Sequence, residues 1–325
     1  MSELRRNPIT GEWVTFAVKR GARPYDFVKK SEAKKDSSKT CPFCPGNENE
    51  TTKEVFQNDD KNWSIRVFPN KYPALDFGDC DFENHSFYEN MNGVGIHEVI
   101  VDTPNHNEKI YDFSSEHFLD VIKVLKMRFD DMKKRDFIKY IQIFKNNGAE
   151  AGMSLVHSHW QIIGMPVMGR IQNDTLFNAL EYRKKHNSCV MCDMIKNEIK
   201  ENIRVVSENE NFVAFTPYAS KMSYELWITP KEHISSFGEF NEKHIEDFTN
   251  IFHNMLKRVS LINKDISYNI CFMDSPIDEN KKYFHWYVKI VPRIGNFAGL
   301  EFSTGTFINP VMPEDAAEVY KSKKV

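Results

Sequence analysis

Apolar and polar residues alternate along eight short segments of the chain, and this period of two predicts eight β-strands. The predicted strands are 63–68, 96–101, 139–145 and 159–165 in the first half, and 211–216, 223–229, 267–273 and 285–291 in the second half. Apolar residues at helical spacing predict one helix at 114–134 and a matching one at about 241–262. Ser115, followed by Glu116 and His117, is predicted to start the first of these helices.

A third predicted helix, at about 174–186, connects the two halves of the chain. Each half therefore has strands, then a helix, then more strands, which is the order of an α+β unit whose helix covers one face of an antiparallel sheet. We predict two tandem half-domains with a boundary near 170–185. Residues 1–175 would form the N-terminal half-domain and residues 176–325 the C-terminal one.

Several motifs occur once in each half, in the same order and at nearly equal spacing. Each copy has a Cys-x-x-Cys pair, then a histidine after a strand-like stretch, and 51 or 52 residues later a second histidine. These residues are Cys41, Cys44, His106 and His157 in the first copy, and Cys189, Cys192, His233 and His285 in the second. The copies differ at one informative position, since His159 lies two residues after His157 whereas Tyr287 lies two residues after His285.

The composition is typical of a soluble globular protein, with 41% hydrophobic and 27% charged residues in a chain of 325. The net charge of −3 provides no overall basic field, so a nucleic-acid partner is not expected. The N-terminal residues lack the apolar stretch of a signal peptide, and no segment approaches 18 consecutive apolar residues. We therefore expect a cytoplasmic protein that does not associate with membranes.

Four of the six cysteines belong to the two Cys-x-x-Cys pairs. In a chain without an export signal, such pairs indicate metal binding or redox chemistry rather than a disulfide framework. Each pair, combined with the two histidines of its copy, supplies two thiolates and two imidazoles, a set that suits tetrahedral zinc. We therefore predict two zinc ions per chain. The alternatives are metal-free core residues and, less consistent with the predicted elements, a thioredoxin-like redox pair.

The additional histidine lies on a predicted strand. Strand alternation places His157, His159 and Gln161 on one face of the sheet. With His157 assigned to the metal, a neutral His159 imidazole is available to attack phosphorus and form a covalent intermediate. Gln161 is then suited to donate an amide hydrogen bond to a phosphoryl oxygen. A third metal site or a purely structural strand is the alternative interpretation of this motif.

A small, polar turn at 146–154 precedes the histidines. Its residues are suited to surround a phosphate with backbone N–H groups and a hydroxyl. Asn146, Gly152 and Ser154 are the candidate phosphate-binding residues in this turn.

Stretches along nearly the whole chain resemble the galactose-1-phosphate uridylyltransferase family of the histidine-triad superfamily. In chain order they are Arg5-Arg-Asn-Pro-Ile-Thr-Gly-Glu-Trp-Val14, Arg20-Gly-Ala-Arg23-Pro, Cys41-Pro-Phe-Cys44, Val67-Phe-Pro-Asn-Lys-Tyr-Pro-Ala-Leu75, His157-Ser-His-Trp-Gln161, Trp227-Ile-Thr-Pro-Lys-Glu-His233, Phe284-His-Trp-Tyr287 and Gly299-Leu-Glu-Phe-Ser-Thr-Gly-Thr-Phe-Ile-Asn-Pro310. The resemblance implies a homodimer that acts on a sugar nucleotide, with a sugar phosphate or inorganic phosphate as the second substrate, as in galactose metabolism.

The resemblance also implies a ping-pong route. The second histidine of the His-x-His-x-Gln motif, here His159, attacks the α-phosphorus of a nucleotide sugar, hexose-1-phosphate leaves, and a second phosphate-bearing acceptor takes the nucleotidyl group. Residues matching the family's substrate positions are Gln161 and Ser154 for the phosphates, Arg20 and Arg23 near the nucleotide, Phe68 and Asn70 for base and ribose, and Gly299 and Glu301 for the hexose. In the family, the hexose segment often comes from the partner subunit.

Three differences from the family's sequence pattern indicate which branch of the family this chain resembles. Phe307 lies about where a galactose-handling branch has glutamine, Gly295-Asn296 replaces an expected lysine, and His285-Trp-Tyr287 replaces a second His-x-His. The second Cys-x-x-Cys and the tail at 308–315 are more similar to the plant ADP-glucose phosphorylase branch, which transfers an adenylyl group to inorganic phosphate and carries two zinc ions.

We therefore expect a nucleotidyltransferase of the hexose-1-phosphate uridylyltransferase type. An ADP-sugar phosphorylase using inorganic phosphate, or a histidine-triad nucleotide hydrolase using water, would share the nucleophile and differ in the acceptor. A zinc-stapled scaffold or nucleotide-binding module is the non-enzymatic alternative, and it predicts that His159→Ala abolishes no chemistry. The single intact His-x-His-x-Gln motif beside a degenerate copy argues against that alternative, because a purely structural repeat gives no reason for the asymmetry.

Overall fold

Strands and helices follow one another along the chain in the computed structural model, which describes residues 2–22, 38–59, 61–78, 82–84 and 87–325. The strands are β1 (Glu3–Arg6), β2 (Trp13–Phe16), β3 (Phe56–Gln57), β4 (Arg66–Pro69), β5 (Phe82–Asn84), β6 (Glu89–Met91), β7 (Ile96–Val101), β8 (Tyr140–Asn147), β9 (His159–Met165), β10 (Val205–Glu208), β11 (Phe212–Phe215), β12 (Leu226–Pro230), β13 (Tyr268–Met273), β14 (Tyr287–Pro292) and β15 (Phe307–Asn309). The α-helices are α1 (Ser115–Met132), α2 (Arg170–His186), α3 (Val190–Glu201), α4 (Glu242–Ser260), α5 (Gly299–Thr304) and α6 (Pro313–Ser322).

Ten of these strands form one antiparallel sheet whose two halves correspond to each other. The strand order is β10-β11-β12-β14-β13-β8-β9-β7-β4-β3, so each half of the chain contributes five adjacent strands in mirrored order. The halves meet where β13 pairs with β8, which places Asn269 opposite Asn146 and Ile270 opposite Lys145. All eight predicted strands lie in this sheet, and the α+β class with two tandem halves is confirmed. The fusion of the two half-sheets into a single sheet is a feature that the sequence pattern did not predict.

The main apolar core lies between one face of the sheet and the helices α1 and α4, which pack against each other. Trp160 on β9 and Trp286, the residue just before β14, are both fully buried in this core, so Trp160 points away from the face that carries His159. The N-cap of α1 is Ser114, whose side chain accepts a hydrogen bond from the His117 N–H at 3.1 Å. The helix begins at Ser115 as predicted, and the capping side chain is that of the residue before it.

The opposite face of the sheet is packed with apolar side chains in the second half. Trp227 and Tyr287 lie with their rings 4.5 Å apart, and both are buried against residues of α2 and α3, including Ala179 and Met191. Tyr287 occupies the position that corresponds to His159, so this copy has a filled apolar layer where the first copy has an imidazole. The packing gives a physical reason why only one copy retains the residues for chemistry.

A separate three-stranded sheet, β1-β2-β15, joins the two ends of the described chain. Glu314 at the start of α6 reinforces this connection, because its carboxylate accepts hydrogen bonds from Arg5 and Arg204, both at 2.8 Å. Within the described residues, no helix combines the length and apolar character needed to cross a membrane. Helix α2 runs across the predicted half-domain boundary, and the division at residue 175 stays a prediction.

Candidate active site

The first Cys/His cluster forms where the Cys41–Cys44 turn meets the loop after β7 and the residues before β9. The ligand atoms of Cys41, Cys44, His106 and His157 all lie within 4.8 Å of one another. The Nδ1 atom of His157 is 3.6 Å from the Cys41 sulfur and 3.4 Å from the Cys44 sulfur. The Nε2–H of His157 donates to the carbonyl oxygen of Thr103 at 2.7 Å, which directs the Nδ1 lone pair towards the sulfurs.

The second cluster repeats this arrangement with Cys189, Cys192, His233 and His285, whose ligand atoms also lie within 4.8 Å of one another. The Nδ1 atom of His285 is 3.9 Å from the Cys189 sulfur and 3.4 Å from the Cys192 sulfur, and its Nε2–H donates to the Pro230 carbonyl at 3.0 Å. Cys189 is the N-cap of α3, a helix that was not predicted. The structure thus brings both predicted ligand sets together, and each set could hold one metal ion.

His159 begins strand β9 on the face that also carries Gln161. Its ring Nδ1 lies 2.8 Å from the carbonyl oxygen of His157, so Nδ1–H donates there and Nε2 retains a lone pair. The Phe43 ring, from the turn between Cys41 and Cys44, packs edge-on with its centroid 5.1 Å from the His159 ring. Burial, followed by the nearby Lys145 ammonium, lowers the pKa of His159 to about 4, so the imidazole is neutral near pH 7.

Phe68 and Asn70, the residues matched to base and ribose, lie near this histidine. The Phe68 ring packs against Phe43 at 5.6 Å between centroids. The backbone N–H of Asn70 donates to the carbonyl of His97 at 2.8 Å. The His97 Nε2 atom lies 2.8 Å from the Gln161 side-chain oxygen, which connects the two predicted substrate-binding elements.

His97 was not among the predicted site residues. A signal for it was present, because His97 lies on the predicted strand 96–101 and shares the strand face of Val99 and Val101. Strand parity predicts that His97 lies on that face, and the packing of the face beside Phe43 and Phe68 places it on the side of the sheet that carries His159.

The predicted phosphate-binding turn at 146–154 begins within β8, which ends at Asn147, and continues through the loop that follows. Gly148 and Gly152 have φ angles of +86° and +80°, a backbone conformation that favours glycine at both ends of the short turn. The side-chain oxygen of Asn146 accepts a hydrogen bond from the Asn269 amide at 2.8 Å, and the same amide donates to the Ala151 carbonyl at 2.8 Å. The second half of the chain therefore braces the turn. Ser154 is exposed just beyond it.

A buried ion pair lies behind the strand of His159. The Lys145 ammonium is 2.8 Å from the Asp102 carboxylate, 2.7 Å from the Ser158 hydroxyl and 3.0 Å from the His159 carbonyl oxygen. The exposed fractions of the two charged side chains are only 2% and 0%. This pair was also missed, since its two members are 43 residues apart and nothing local in the sequence joins them.

Other predicted substrate residues lie elsewhere. Arg20 is exposed in a short 3-10 helix at Val18–Ala22, and Arg23 lies outside the described residues. Gly299 and Glu301 belong to α5, where the Glu301 carboxylate accepts a hydrogen bond from the Ala298 N–H at 2.8 Å. In the part of the chain that the structure describes, no hydrogen bond or ion pair connects Gly299 or Glu301 to the residues around His159.

The family model for the galactose-1-phosphate uridyl transferase N-terminal domain matches residues 1–168, and the model for the C-terminal domain matches residues 175–319. ADP-glucose phosphorylase from Arabidopsis thaliana is 34% identical over 331 residues, which cover 98% of this chain and 92% of the relative. Galactose-1-phosphate uridylyltransferase from Thermotoga maritima is 28% identical, with 100% and 99% coverage.

A crystal structure of an ADP-glucose phosphorylase from Arabidopsis thaliana with bound ADP-glucose is similar to this fold, with a TM-score of 0.86. The two chains are 32% identical in that comparison, which covers 100% of this chain and 99% of the other. The resemblance inferred from the motifs is thereby confirmed. This chain belongs to the galactose-1-phosphate uridyl transferase family and is a nucleotidyltransferase.

Proposed function

We propose that this chain transfers a nucleoside monophosphate from a nucleotide sugar to a phosphate-bearing acceptor through a nucleotidyl group bound to His159. The observation that carries the proposal is the hydrogen bond from His159 Nδ1–H to the His157 carbonyl at 2.8 Å. It fixes the tautomer in which Nε2 has a lone pair, so the ring needs no general base before it attacks phosphorus.

In the first step, a bond forms between His159 Nε2 and the α-phosphorus while the bond from that phosphorus to the bridging oxygen breaks. The sugar phosphate leaves with the electron pair. In the second step, a phosphate oxygen of the acceptor attacks the same phosphorus, and the neutral imidazole leaves. We propose that the Gln161 amide stabilises the charge on the phosphoryl oxygens and that the turn after Asn146 lies beside them. The Gly152 N–H donates to the Ala149 carbonyl at 3.0 Å, so Gly152 would contribute the shape of the turn and not a free donor. Ser154 would contribute its hydroxyl to the phosphates.

We further propose that both Cys/His clusters bind zinc. Tetrahedral zinc, with Zn–S near 2.3 Å and Zn–N near 2.0–2.1 Å, separates a sulfur and a nitrogen ligand by about 3.5 Å. The observed sulfur–nitrogen distances of 3.3 to 3.9 Å fit this value. When bound, zinc would supply a rigid cross-link. In the first cluster that cross-link would hold His157, whose carbonyl orients the nucleophile.

The donor and acceptor that the family name suggests are a UDP-hexose and hexose-1-phosphate. Adenylyl transfer from ADP-glucose to inorganic phosphate is a second candidate. It is favoured by the 34% identity to a relative named ADP-glucose phosphorylase, and by Phe307 at about the position where the galactose-handling branch has glutamine. Phe68 and Asn70 would contact the base and ribose in either case, and Arg20 and Arg23 would lie near the nucleotide.

We propose a homodimer in a cytoplasmic location, with Gly299 and Glu301 reaching the hexose across the dimer interface. This placement is consistent with the position of α5, which lies beside β15 of the three-stranded sheet.

A product assay tests the proposal and separates the candidates. The protein is incubated with UDP-glucose plus galactose-1-phosphate, with ADP-glucose plus inorganic phosphate, and with each nucleotide sugar alone, and the nucleotides are separated by chromatography. UDP-galactose from the first mixture supports uridylyl transfer, whereas ADP from the second supports phosphorolysis. Nucleoside monophosphate formed without any acceptor indicates a hydrolase. No turnover in any mixture would overturn the proposal.

A further inference from the structure

Beyond the family's known site residues, the geometry points to His97 as a positioning residue that fixes the orientation of the Gln161 side-chain amide. Through that amide, His97 sets the hydrogen bond given to the substrate's phosphoryl oxygen. The inference rests on the proposed function of His159 and Gln161, and it assigns His97 no direct contact with the reacting atoms.

His97 and Gln161 are diagonal neighbours on adjacent strands. In the pairing of β7 with β9, Val99 lies opposite Gln161 and His97 lies opposite Ile163. Because alternate residues share a face, His97 and Gln161 project from the same side of the sheet, within reach of a diagonal contact. His97 is 8% exposed, and its Nε2 is 2.8 Å from the Gln161 Oε1 atom.

A backbone group fixes the tautomer of His97. The N–H of Ala74 donates to His97 Nδ1 at 3.1 Å, and a backbone amide cannot exchange its donor for an acceptor. A neutral imidazole has one acceptor and one donor nitrogen, so Nε2 carries the proton and donates to Gln161 Oε1. Burial lowers the pKa of His97, which is consistent with the neutral ring that this arrangement requires.

Asn70 offers His97 Nε2 no competing acceptor. Its Oδ1 accepts the Tyr72 backbone N–H at 2.9 Å, so its Nδ2 is the atom that lies 3.2 Å from His97 Nε2. Both nitrogens carry protons, and this contact is therefore not a hydrogen bond. The acceptor for His97 Nε2–H among these neighbours is Gln161 Oε1.

His97 determines which end of the Gln161 side-chain amide is available to the substrate. A glutamine side chain can present either its oxygen or its NH2 group, and the two orientations have nearly the same shape. A phosphoryl oxygen needs the NH2 group, because the amide oxygen would repel it. By holding Oε1, His97 leaves Nε2 to donate, so Gln161 is oriented before substrate binds.

Two substitutions separate this role from a merely structural one. In His97→Asn, the Asn oxygen matches the place of Nδ1 and still accepts the Ala74 N–H, but no donor reaches Gln161. In His97→Gln, the amide nitrogen matches the place of Nε2 and can donate to Gln161. The positioning role predicts that His97→Asn is the slower variant, whereas a role in holding the Ala74 segment predicts the reverse order.

The measurement is the single-turnover rate of nucleotidyl-protein formation with UDP-glucose and with ADP-glucose. We expect His97→Asn to be slower by about tenfold to a hundredfold, less than the roughly hundred- to thousandfold loss on deleting an oxyanion donor outright. We expect His97→Gln to recover most of the rate, and the concentration of nucleotide sugar at half-maximal rate to change little in either variant. His253→Leu, a buried histidine substitution in α4 on the other face of the sheet, is the matched control and should react like the wild type.

A double-mutant cycle provides the decisive comparison. If His97 acts through Gln161, His97→Asn causes no further loss in a Gln161→Ala background. Additive losses, equal rates for His97→Asn and the wild type, or a His97→Gln variant slower than His97→Asn would each overturn the inference. A wild-type protein that forms no nucleotidyl adduct, by contrast, overturns the proposed function itself. Thermal unfolding of each variant identifies any loss of rate that comes from misfolding.

Discussion

Replacing Lys145 with methionine is expected to destabilise the fold strongly, because it leaves a carboxylate buried without its counter-ion. Methionine keeps the apolar stem but removes the ammonium that contacts Asp102, Ser158 and the His159 carbonyl. Within the described residues, the second oxygen of Asp102 has no hydrogen-bond partner to compensate for the loss. The substitution therefore isolates the contribution of one ammonium group behind the catalytic strand.

The magnitude follows from the separation and the burial of the two charges. At 2.8 Å and an effective dielectric constant of about 20, the Coulomb attraction is about 6 kcal/mol. Part of that attraction offsets the cost of removing both charges from water, and breaking a buried pair from one side typically costs about 3–5 kcal/mol. For 325 residues and an unfolding entropy of about 2.1 cal/mol/K per residue, a loss of about 4 kcal/mol corresponds to a decrease in Tm of about 6 °C.

The assay is urea unfolding followed by tryptophan fluorescence, with Lys145→Met compared with the double variant Lys145→Met/Asp102→Asn. The double variant should be more stable than Lys145→Met alone, because no unpaired charge remains in the interior. A loss smaller than about 1 kcal/mol for Lys145→Met, or a double variant no more stable than the single one, would refute the assignment of a buried ion pair.

Three other predictions concern the metal clusters, the turn after β8 and a buried carboxyl group. Cys192→Ser should lower the zinc content, measured by elemental analysis, from two ions to one per chain, and it should also lower Tm. The nucleotidyl adduct, measured by intact mass, should still form. An unchanged zinc content would contradict a metal site at the second cluster. Gly148→Ala should destabilise the fold by more than Gly152→Ala in urea unfolding, because a Cβ at Gly148 would overlap the side chain of Ser267, whereas a Cβ at Gly152 meets nothing within 4 Å. Burial raises the pKa of the Asp274 carboxyl group to about 7. Between about pH 4 and pH 7 the folded state therefore keeps a proton that the unfolded chain has released. The free energy of unfolding should consequently fall as the pH rises towards 7. Asp274→Asn should reduce that slope in unfolding experiments at pH 5 and pH 8, and an unchanged slope would assign it to other groups.

The elements that carry the site could be predicted because their signals are local. The alternation of side chains along 159–165 is a property of any strand, so it correctly placed His159 and Gln161 on one face, opposite the buried Trp160. The repeated Cys-x-x-Cys and histidine spacing likewise grouped the two ligand sets, because both copies fold in the same way and a shared register reflects a shared geometry.

The features that were missed depend on which strands become neighbours. Lys145 on β8 and Asp102 after β7 meet only because β9 lies between those strands. The contact between His97 and Gln161 depends in the same way on the register of β7 with β9. Helix α3 was missed because Cys189, its N-cap, is not one of the residues that usually signal a helix start.

The most direct test of the central claim is the intact mass of the protein after mixing with UDP-glucose or ADP-glucose in the absence of an acceptor. A mass increase equal to one uridylyl or one adenylyl group, located by peptide mapping on His159 and absent from His159→Ala, is the expected result, and it identifies the base as well. If neither nucleotide sugar gives an adduct and no free sugar phosphate is released, His159 is not a nucleotidyl carrier. The zinc-stapled scaffold would then be the better description of this chain.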